Sequence, residues 1–184
     1  MIASSLYAGS TAEILNPDPD VEAILQIVPF DMPGPVLDLN TLLARLTPDL
    51  RVVLTNGVFD LLHVGHLRYL RRARELGDVL VVGVNADGTV HKPGRPLIPD
   101  FERAELVAAL EPVDYVVIFG EDTADELLRA VRPSIYAKGA DYSEASLPEA
   151  VTAHAIGAQV VLLPLTDQRS SSRMIRMLEE IRQD

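Results

Sequence analysis

His63 and His66 stand three residues apart at the end of the string Thr55-Asn56-Gly57-Val58-Phe59-Asp60-Leu61-Leu62-His63-Val64-Gly65-His66. A β-branched run, Arg51–Thr55, leads into the string, and Leu67, Leu70, Ala73 and Leu76 follow it at helical spacing. The string therefore joins a strand to a helix. A helix entry presents unpaired backbone N–H groups and a partial positive charge, which together suit a phosphate. Gly57 lets the backbone approach closely, and the spacing lets both imidazoles point into one spot at the helix entry. The chemistry such a junction supports is positioning of a phosphate and neutralisation of charge that develops on it. Two other readings stand beside it. The histidines are also candidate metal ligands, although no third ligand of suitable type lies nearby in the chain, or they are satisfied structural histidines.

The cations point the same way. The chain has fourteen arginines but two lysines, Lys92 and Lys138, each expected in a loop after a strand. Lys92 and Arg95 share the loop His91-Lys92-Pro93-Gly94-Arg95-Pro96. Lys138 is followed by Gly139 and, two residues later, by Asp141, which is close enough to reach ribose, substrate hydroxyls or a metal and is equally a turn-forming aspartate. Ser170, Ser171 and Ser172, flanked by Arg169 and Arg173, precede a last helical pattern; they read as N-caps whose hydroxyls and free N–H groups also suit phosphate. Arg103 is either a site residue or a helix-surface ion pair beside Glu102. Arg68, Arg71, Arg72 and Arg74 read as a solvated or subunit-facing helix surface.

These residues need a frame. Strands are expected at Arg51–Thr55, Val79–Val84, Tyr115–Phe119, Ser134–Ala137 and Gln159–Leu163, and helical patterns separate them. One helix is expected before the first strand (Leu37 to Leu46, stopped by Pro48), and one on Met174, Ile175, Leu178 and Ile181 closes the chain. The alternation predicts an α/β, Rossmann-like doubly wound parallel five-stranded sheet with helices on both faces. In the common order 3-2-1-4-5 its crevice lies between the first and fourth strands, at the loops Asn56–His66 and Lys138–Tyr142. Residues 1–35, interrupted by Asn16-Pro17-Asp18-Pro19 and by Pro29 to Pro35, read as an acidic N-terminal extension with at most a short element around Val21–Val28; residues 36–184 read as the domain proper.

Composition sets the outer bounds. The net charge is −11, and residues 1–50 hold seven acids against the single base Arg45. Such a balance repels a polyanion, so no nucleic-acid partner is expected, while a local cluster of donors still accommodates a small phosphate. With no cysteine, disulfides, thiol catalysis and cysteine-ligated zinc are excluded. No apolar run spans a bilayer and no basic-then-apolar leader opens the chain, so no membrane partner and a cytoplasmic location are expected.

The string at 55–66 resembles the T-x-G-x-F-D-x-x-H-x-G-H signature of the cytidylyltransferase-like nucleotidyltransferases. Within that superfamily the chain looks most like the heptose-1-phosphate adenylyltransferases, which make ADP-heptose for lipopolysaccharide precursors. The resemblance runs from about Val36 to Ile181. It takes in Val84-Asn85-Ala86-Asp87, Gly94-Arg95-Pro96, Glu102-Arg103-Ala104-Glu105, Val113-Asp114-Tyr115-Val116-Val117, Glu121-Asp122-Thr123, Arg132-Pro133, Lys138-Gly139-Ala140-Asp141-Tyr142 and Ser170-Ser171-Ser172-Arg173. The chain departs from the heptose-type pattern in a shorter loop between Asp87 and Gly94, in Ala140 where a glycine is usual, and in an all-serine run before the last helix.

The resemblance implies transfer of a nucleoside monophosphate from ATP (or CTP), with Mg²⁺, to a small phosphorylated substrate, releasing pyrophosphate. It implies that His63, His66 and Lys92 are catalytic. It implies that Thr55, Asn56, Gly57, Phe59, Gly65, Lys138, Gly139, Ser170, Ser171 and Ser172 bind the nucleotide. Asp60, Asn85, Asp87, Arg95, Arg103 and Asp141 would bind substrate. A phosphate monoester is largely ionised at neutral pH, with a second pKa near ~6, so it needs positioning and not a general base. An AMP transfer to a sugar 1-phosphate such as D-glycero-D-manno-heptose 1-phosphate is favoured, with any sugar-kinase step expected on another protein. The alternatives are a cytidylyltransferase for glycerol phosphate, an amino-alcohol phosphate or a phosphonate, and a non-catalytic nucleotide-binding module. Relatives are commonly dimers, so a homodimer is expected.

Overall fold

β-Branched runs pair into strands and the amphipathic segments between them pack on the result, as the alternation predicts. The computed structural model describes residues 35–91, 93–140 and 143–164. The strands are β1 (Val52–Gly57), β2 (Val79–Asn85), β3 (Tyr115–Phe119), β4 (Ile135–Gly139) and β5 (Gln159–Leu163). The helices are α1 (Leu39–Arg45), α2 (Val64–Arg74), α3 (Asp100–Ala108), α4 (Asp125–Val131) and α5 (Ala150–Ala155). All pairings are parallel and the sheet order is β3-β2-β1-β4-β5. The expected helix on Met174–Ile181, the serine run 170–172 and the extension up to residue 34 lie outside the described residues. Before α1, Val36 forms a parallel bridge to Val116, which ties the chain to the β3 edge.

The period of two along each strand divides the core into two layers. Val52, Leu54, Val79, Val81, Val117 and Tyr136 face Leu42 of α1, Leu127 and Leu128 of α4, and Ala150 and Ala153 of α5. Val53, Leu80, Val82, Val84, Val116 and Ile135 face Leu70 and Ala73 of α2 and Ala104, Val107 and Ala108 of α3. The sheet is thus covered on both faces, which is why its central strands read as continuous apolar runs rather than alternating ones. Among the described residues no helix is long and apolar enough to cross a membrane.

Two strands run further than their β-branched cores. β1 continues through Asn56 and Gly57, paired to Gly83 and Val84, and β4 continues through Lys138 and Gly139, paired to Leu162 and Leu163. Lys138 is therefore a strand residue and not, as its sequence position suggests, a loop residue. The ladder hydrogen bonds hold these polar positions in line although their side chains carry no strand preference. The strand order reverses between β1 and β4, so the crevice opens at the ends carrying Asn56, Gly57, Lys138 and Gly139.

The turn into β2 leaves no room for a side chain at Gly77. A Cβ there would lie 2.3 Å from the Arg51 carbonyl oxygen and 2.7 Å from Val53 Cγ2. The neighbouring backbone is fixed, because Asp78 N donates to Arg51 O and Arg51 N donates to the Asp78 carboxylate, each at 2.8 Å. Gly77→Ala should therefore lower stability by about 1–3 kcal/mol, the usual cost of overpacking. A urea midpoint equal to that of the parent would contradict the tight approach.

Candidate functional site

The loop leaving β1 is locked by two buried ions, Asp60 and Arg103. Asp60 is 2% exposed. Its carboxylate accepts from Leu97 N at 2.7 Å, from Ile98 N at 3.0 Å and from Arg95 Nε, so the β1 loop grips the loop that follows β2. Arg103, on α3, is fully buried. Its guanidinium donates to the carbonyls of Ile98 (2.8 Å), Asn85 (2.9 Å) and Val58, and to the Asp87 carboxylate. Five N–H donors on a planar fork are what allow one side chain to reach three chain segments at once. Asp87 N in turn donates to Asp100 at the start of α3, at 3.0 Å. Arg103 is thus not the helix-surface ion pair that its neighbours Glu102 and Glu105 suggest. Enclosed by protein, it positions the two loops, and Asp60 does the same.

Immediately before Asp60, Phe59 turns the chain through a left-handed conformation with φ 52°. A bulky residue there is strained by roughly 1–3 kcal/mol, a cost that over-determined surroundings must hold. Those surroundings are visible: the Phe59 ring lies 5.4 Å from the His66 ring, and a Cβ on Gly57 would stand 3.2 Å from it. The turn delivers the chain to α2 at His63.

His63 is the N-cap of α2, with extended backbone at φ −145° and ψ 169°. Its Nδ1 accepts from Gly65 N at 3.1 Å, while His66 Nδ1 accepts from His63 N at 3.3 Å. The two imidazoles thus form a reciprocal capping box, a device usually built from Ser or Thr with Glu. An Nδ1 that accepts a hydrogen bond carries no proton, so in neutral form each ring bears its proton on Nε2. The rings stack with centroids 4.0 Å apart. Burial, and secondarily the charge of His63, pushes the His66 pKa down from 6.5 to about 4. At neutral pH His66 is an uncharged N–H donor at the positive end of a helix.

The strand ends complete the crevice. Asn56 Oδ1 accepts from Tyr136 OH at 2.7 Å and from Lys138 Nζ at 3.1 Å, and Lys138 is 9% exposed. Thr55, fully buried, meets the Tyr69 hydroxyl at 2.7 Å. The Tyr69 proton goes to Ala137 O at 2.9 Å, so Thr55 is the donor, and α2 is tied to β1 and β4 through one hydroxyl. Asn85 Nδ2 reaches Thr89 Oγ1 at 3.4 Å while its carbonyl serves Arg103.

The structure thus brings Thr55, Asn56, Gly57, Phe59, Asp60, His63, Gly65, His66, Asn85, Asp87, Arg95, Arg103, Lys138 and Gly139 to the carboxyl end of the sheet. Lys92, Asp141 and Ser170–Ser172 lie outside the described residues. Sequence reasoning missed Tyr69 and Tyr136, which carry the hydrogen bonds beneath Thr55 and Asn56. Tyr69 falls on the apolar face of α2 and Tyr136 in a strand core, so each reads as packing. Among the described residues no three His, Asp or Glu side chains gather to hold a metal.

A parallel sheet of this order with donors converging on its switch point defines a Rossmann-like domain of the nucleotide-handling kind. The chain belongs to the cytidylyltransferase-like family, whose model matches residues 54–178, and it is by that membership a nucleotidyltransferase domain. It is 47% identical over 136 residues to the bifunctional protein HldE of Syntrophotalea carbinolica, covering 72% of this chain and 28% of the relative. To the HldE protein of Methylobacillus flagellatus it is 44% identical over 150 residues, 78% of this chain and 31% of the relative. The chain therefore spans under a third of the length of these curated relatives. Among solved structures it resembles a lipopolysaccharide core biosynthesis protein from Thermoplasma volcanium, with TM-score 0.58 and 32% identity over 64% of this chain and 99% of that one. Pantothenate synthetase from Thermus thermophilus shares the fold, with TM-score 0.61 and 20% identity over 80% of this chain and 69% of that one.

Two outcomes follow from the lock and the cap. In an NMR titration the His66 ring should change charge near pH 4, and a transition at 6.5 would contradict its burial. Because the unfolded chain binds that proton more readily, His66 lowers stability as pH falls from 6.5 toward about 4, and has no effect above 6.5. Replacing Arg103 by Met leaves the Asp87 carboxylate and three carbonyls without their donor, and should cost about 3–5 kcal/mol in chemical denaturation.

Proposed function

We propose that this domain transfers AMP from ATP to a sugar 1-phosphate of the heptose type and releases pyrophosphate. The observation that carries the reading is the histidine cap. Both Nδ1 atoms are committed to the α2 entry, so the protons on Nε2 are oriented by the backbone itself, and His66 stays neutral at working pH. A phosphate oxygen of the acceptor attacks the α-phosphorus in line. The bond from that phosphorus to the oxygen bridging to the β-phosphorus breaks, and the electron pair leaves with pyrophosphate. His63 and His66 donate to the phosphate oxygens on which charge accumulates, in company with N–H groups of the helix entry. Lys138 on β4 lies within the same crevice and binds the nucleotide; Lys92 and Ser170–Ser172 are assigned the triphosphate.

Asp60, Arg95, Asp87 and Arg103 act on the substrate side by fixing the two loops that form its wall. Mg²⁺ would come with the triphosphate, held chiefly by phosphate oxygens and water, as suits a hard cation that keeps much of its hydration shell. The acceptor class rests on the HldE relatives and on the lipopolysaccharide core biosynthesis protein, together with the motifs that resemble heptose-1-phosphate adenylyltransferases. A second reading, CTP with an alcohol phosphate or phosphonate acceptor, is favoured by the family's own description as cytidylyltransferase-like.

Incubation with Mg²⁺, each NTP and a panel of acceptors should give pyrophosphate release with ATP and a heptose 1-phosphate. Release with CTP and glycerol phosphate instead would keep the chemistry and discard the acceptor. Exchanging both His63 and His66 for Ala should reduce turnover by at least about 10²–10³-fold, the scale of losing an oxyanion donor. Turnover at the parent rate in that double variant, with circular dichroism unchanged, would remove the histidines from the mechanism.

A further inference from the structure

Asn56, Tyr136 and Lys138 project from the same face of the sheet at the carboxyl ends of β1 and β4. Leu54 pairs with Tyr136 in the β1–β4 register, so Asn56 and Lys138, each two residues on, fall on the side that Tyr136 occupies. Lys138 is an ammonium with donors alone, so the oxygen of the Asn56 amide and not its nitrogen must face it. That oxygen also receives the Tyr136 hydroxyl at 2.7 Å, the shorter of its two bonds. Tyr136 itself is fully buried in the apolar layer with Leu54, Val81 and Leu128.

A phenylalanine would fill that layer without placing a hydroxyl out of water, which costs energy unless the hydroxyl is bonded. Burial and the neighbouring Glu149 carboxylate push the Tyr136 pKa up, so the hydroxyl remains a donor at every working pH. The Lys138 Nζ also lies 5.8 Å from the centre of the Tyr136 ring. Phenylalanine would retain that cation–π contact and remove only the hydroxyl's hydrogen bonds, to Asn56 and to Glu149, which the Asn56→Ala background tells apart.

We propose that Tyr136 is a positioning residue for the transfer reaction: its hydroxyl holds Asn56 Oδ1 in place, and Asn56 holds the Lys138 ammonium at the mouth of the crevice. The effect on nucleotide rests on the site reading above; the effect on Lys138 does not.

The chain has two lysines, so acylation of amines by a water-soluble ester can be followed at each by mass spectrometry, with Lys92 as internal reference. In Tyr136→Phe the labelling rate of Lys138 relative to Lys92 should rise about five-fold, the weight of one hydrogen bond. The same variant should raise KM for the nucleotide several-fold with kcat changed less, and keep its melting temperature within a few degrees. In an Asn56→Ala background, where the Asn56 link is already gone, adding Tyr136→Phe should change neither ratio nor KM further. An unchanged labelling ratio in Tyr136→Phe overturns the proposal, and so do effects that simply add in the double variant, since those mark a packing role. If the labelling ratio responds as expected while wild type consumes no NTP, the positioning of Lys138 stands and the nucleotidyl-transfer reading falls. If wild type turns over and Tyr136→Phe matches it in both labelling and KM, that reading stands and the proposal falls.

Discussion

The fully buried guanidinium of Arg103 is the interaction on which the site depends. A charge placed inside a protein is costly, and it persists only where hydrogen bonds replace the water it lost. Here they come from the loop after β1, through Val58; from the end of β2 and the turn beyond it, through Asn85 and Asp87; and from the entry to α3, through Ile98. The β1–β2 ladder ends at Gly57 and Val84, and beyond it no strand pairing joins these ends to the entry of α3. The guanidinium fork fixes their spacing, and Asp60 fixes it again from the β1 side by accepting Leu97 N, Ile98 N and Arg95. The two ions interlock without pairing to each other. Each is anchored in one loop or helix and grips another, so neither loop moves without breaking a buried charged contact.

That rigidity explains how Phe59 is held at positive φ and how His63 arrives at the start of α2 with its ring turned back on Gly65. Serine or aspartate would cap the helix as well or better. Histidine at both the cap and the third helical position does something those residues cannot. The ring spends one nitrogen on the helix and presents the other, with its proton, on the far side, about 2 Å further out along a rigid plane. A capping requirement thereby becomes a device for aiming a donor. The low pKa of His66 belongs to the same arrangement, because its buried ring, stacked on His63, resists a second positive charge.

Much of this was legible in the sequence, for reasons that can be named. The strands and both helical layers follow from apolar periods that burial enforces, and Tyr115–Phe119 and Gln159–Leu163 match their β-branched runs residue for residue; the strand order is the one common to such sheets. The histidine string was legible because a strand, a glycine and a helix entry constrain one another over twelve positions. What sequence could not supply was the partner of each ion. Arg103 has acids on either side along α3, and local spacing offers a surface pair; its actual partners lie up to forty-five residues away. Asp60 is likewise bonded thirty-five and more residues downstream. Lys138 read as a loop residue because strand preference ends before it, whereas β5 extends the ladder through it. Tyr136 was invisible as anything but core, since its hydroxyl acquires meaning only across the β1–β4 register.

The charge of the chain bears on why the site is built this way. At −11 net, the protein as a whole repels a triphosphate, so binding must come from donors local to the crevice. Cations alone would be a poor answer, because the arginines nearest the loops are already tied to carboxylates: Arg103 to Asp87, and Arg95 to Asp60. Their charge organises the walls and is largely balanced there. Neutral donors escape that constraint. A backbone N–H at a helix entry or an uncharged imidazole N–H needs no counter-ion when the site is empty, and it is therefore cheap to keep preorganised. The histidine cap supplies such a donor in His66, at the one point where the helix also contributes its partial charge. A lysine would have brought a stronger attraction and also a desolvation cost beside the buried ions. On the function proposed above, the uncharged His66 N–H sets a directed donor beside the Lys138 ammonium, so the crevice does not rest on cations alone.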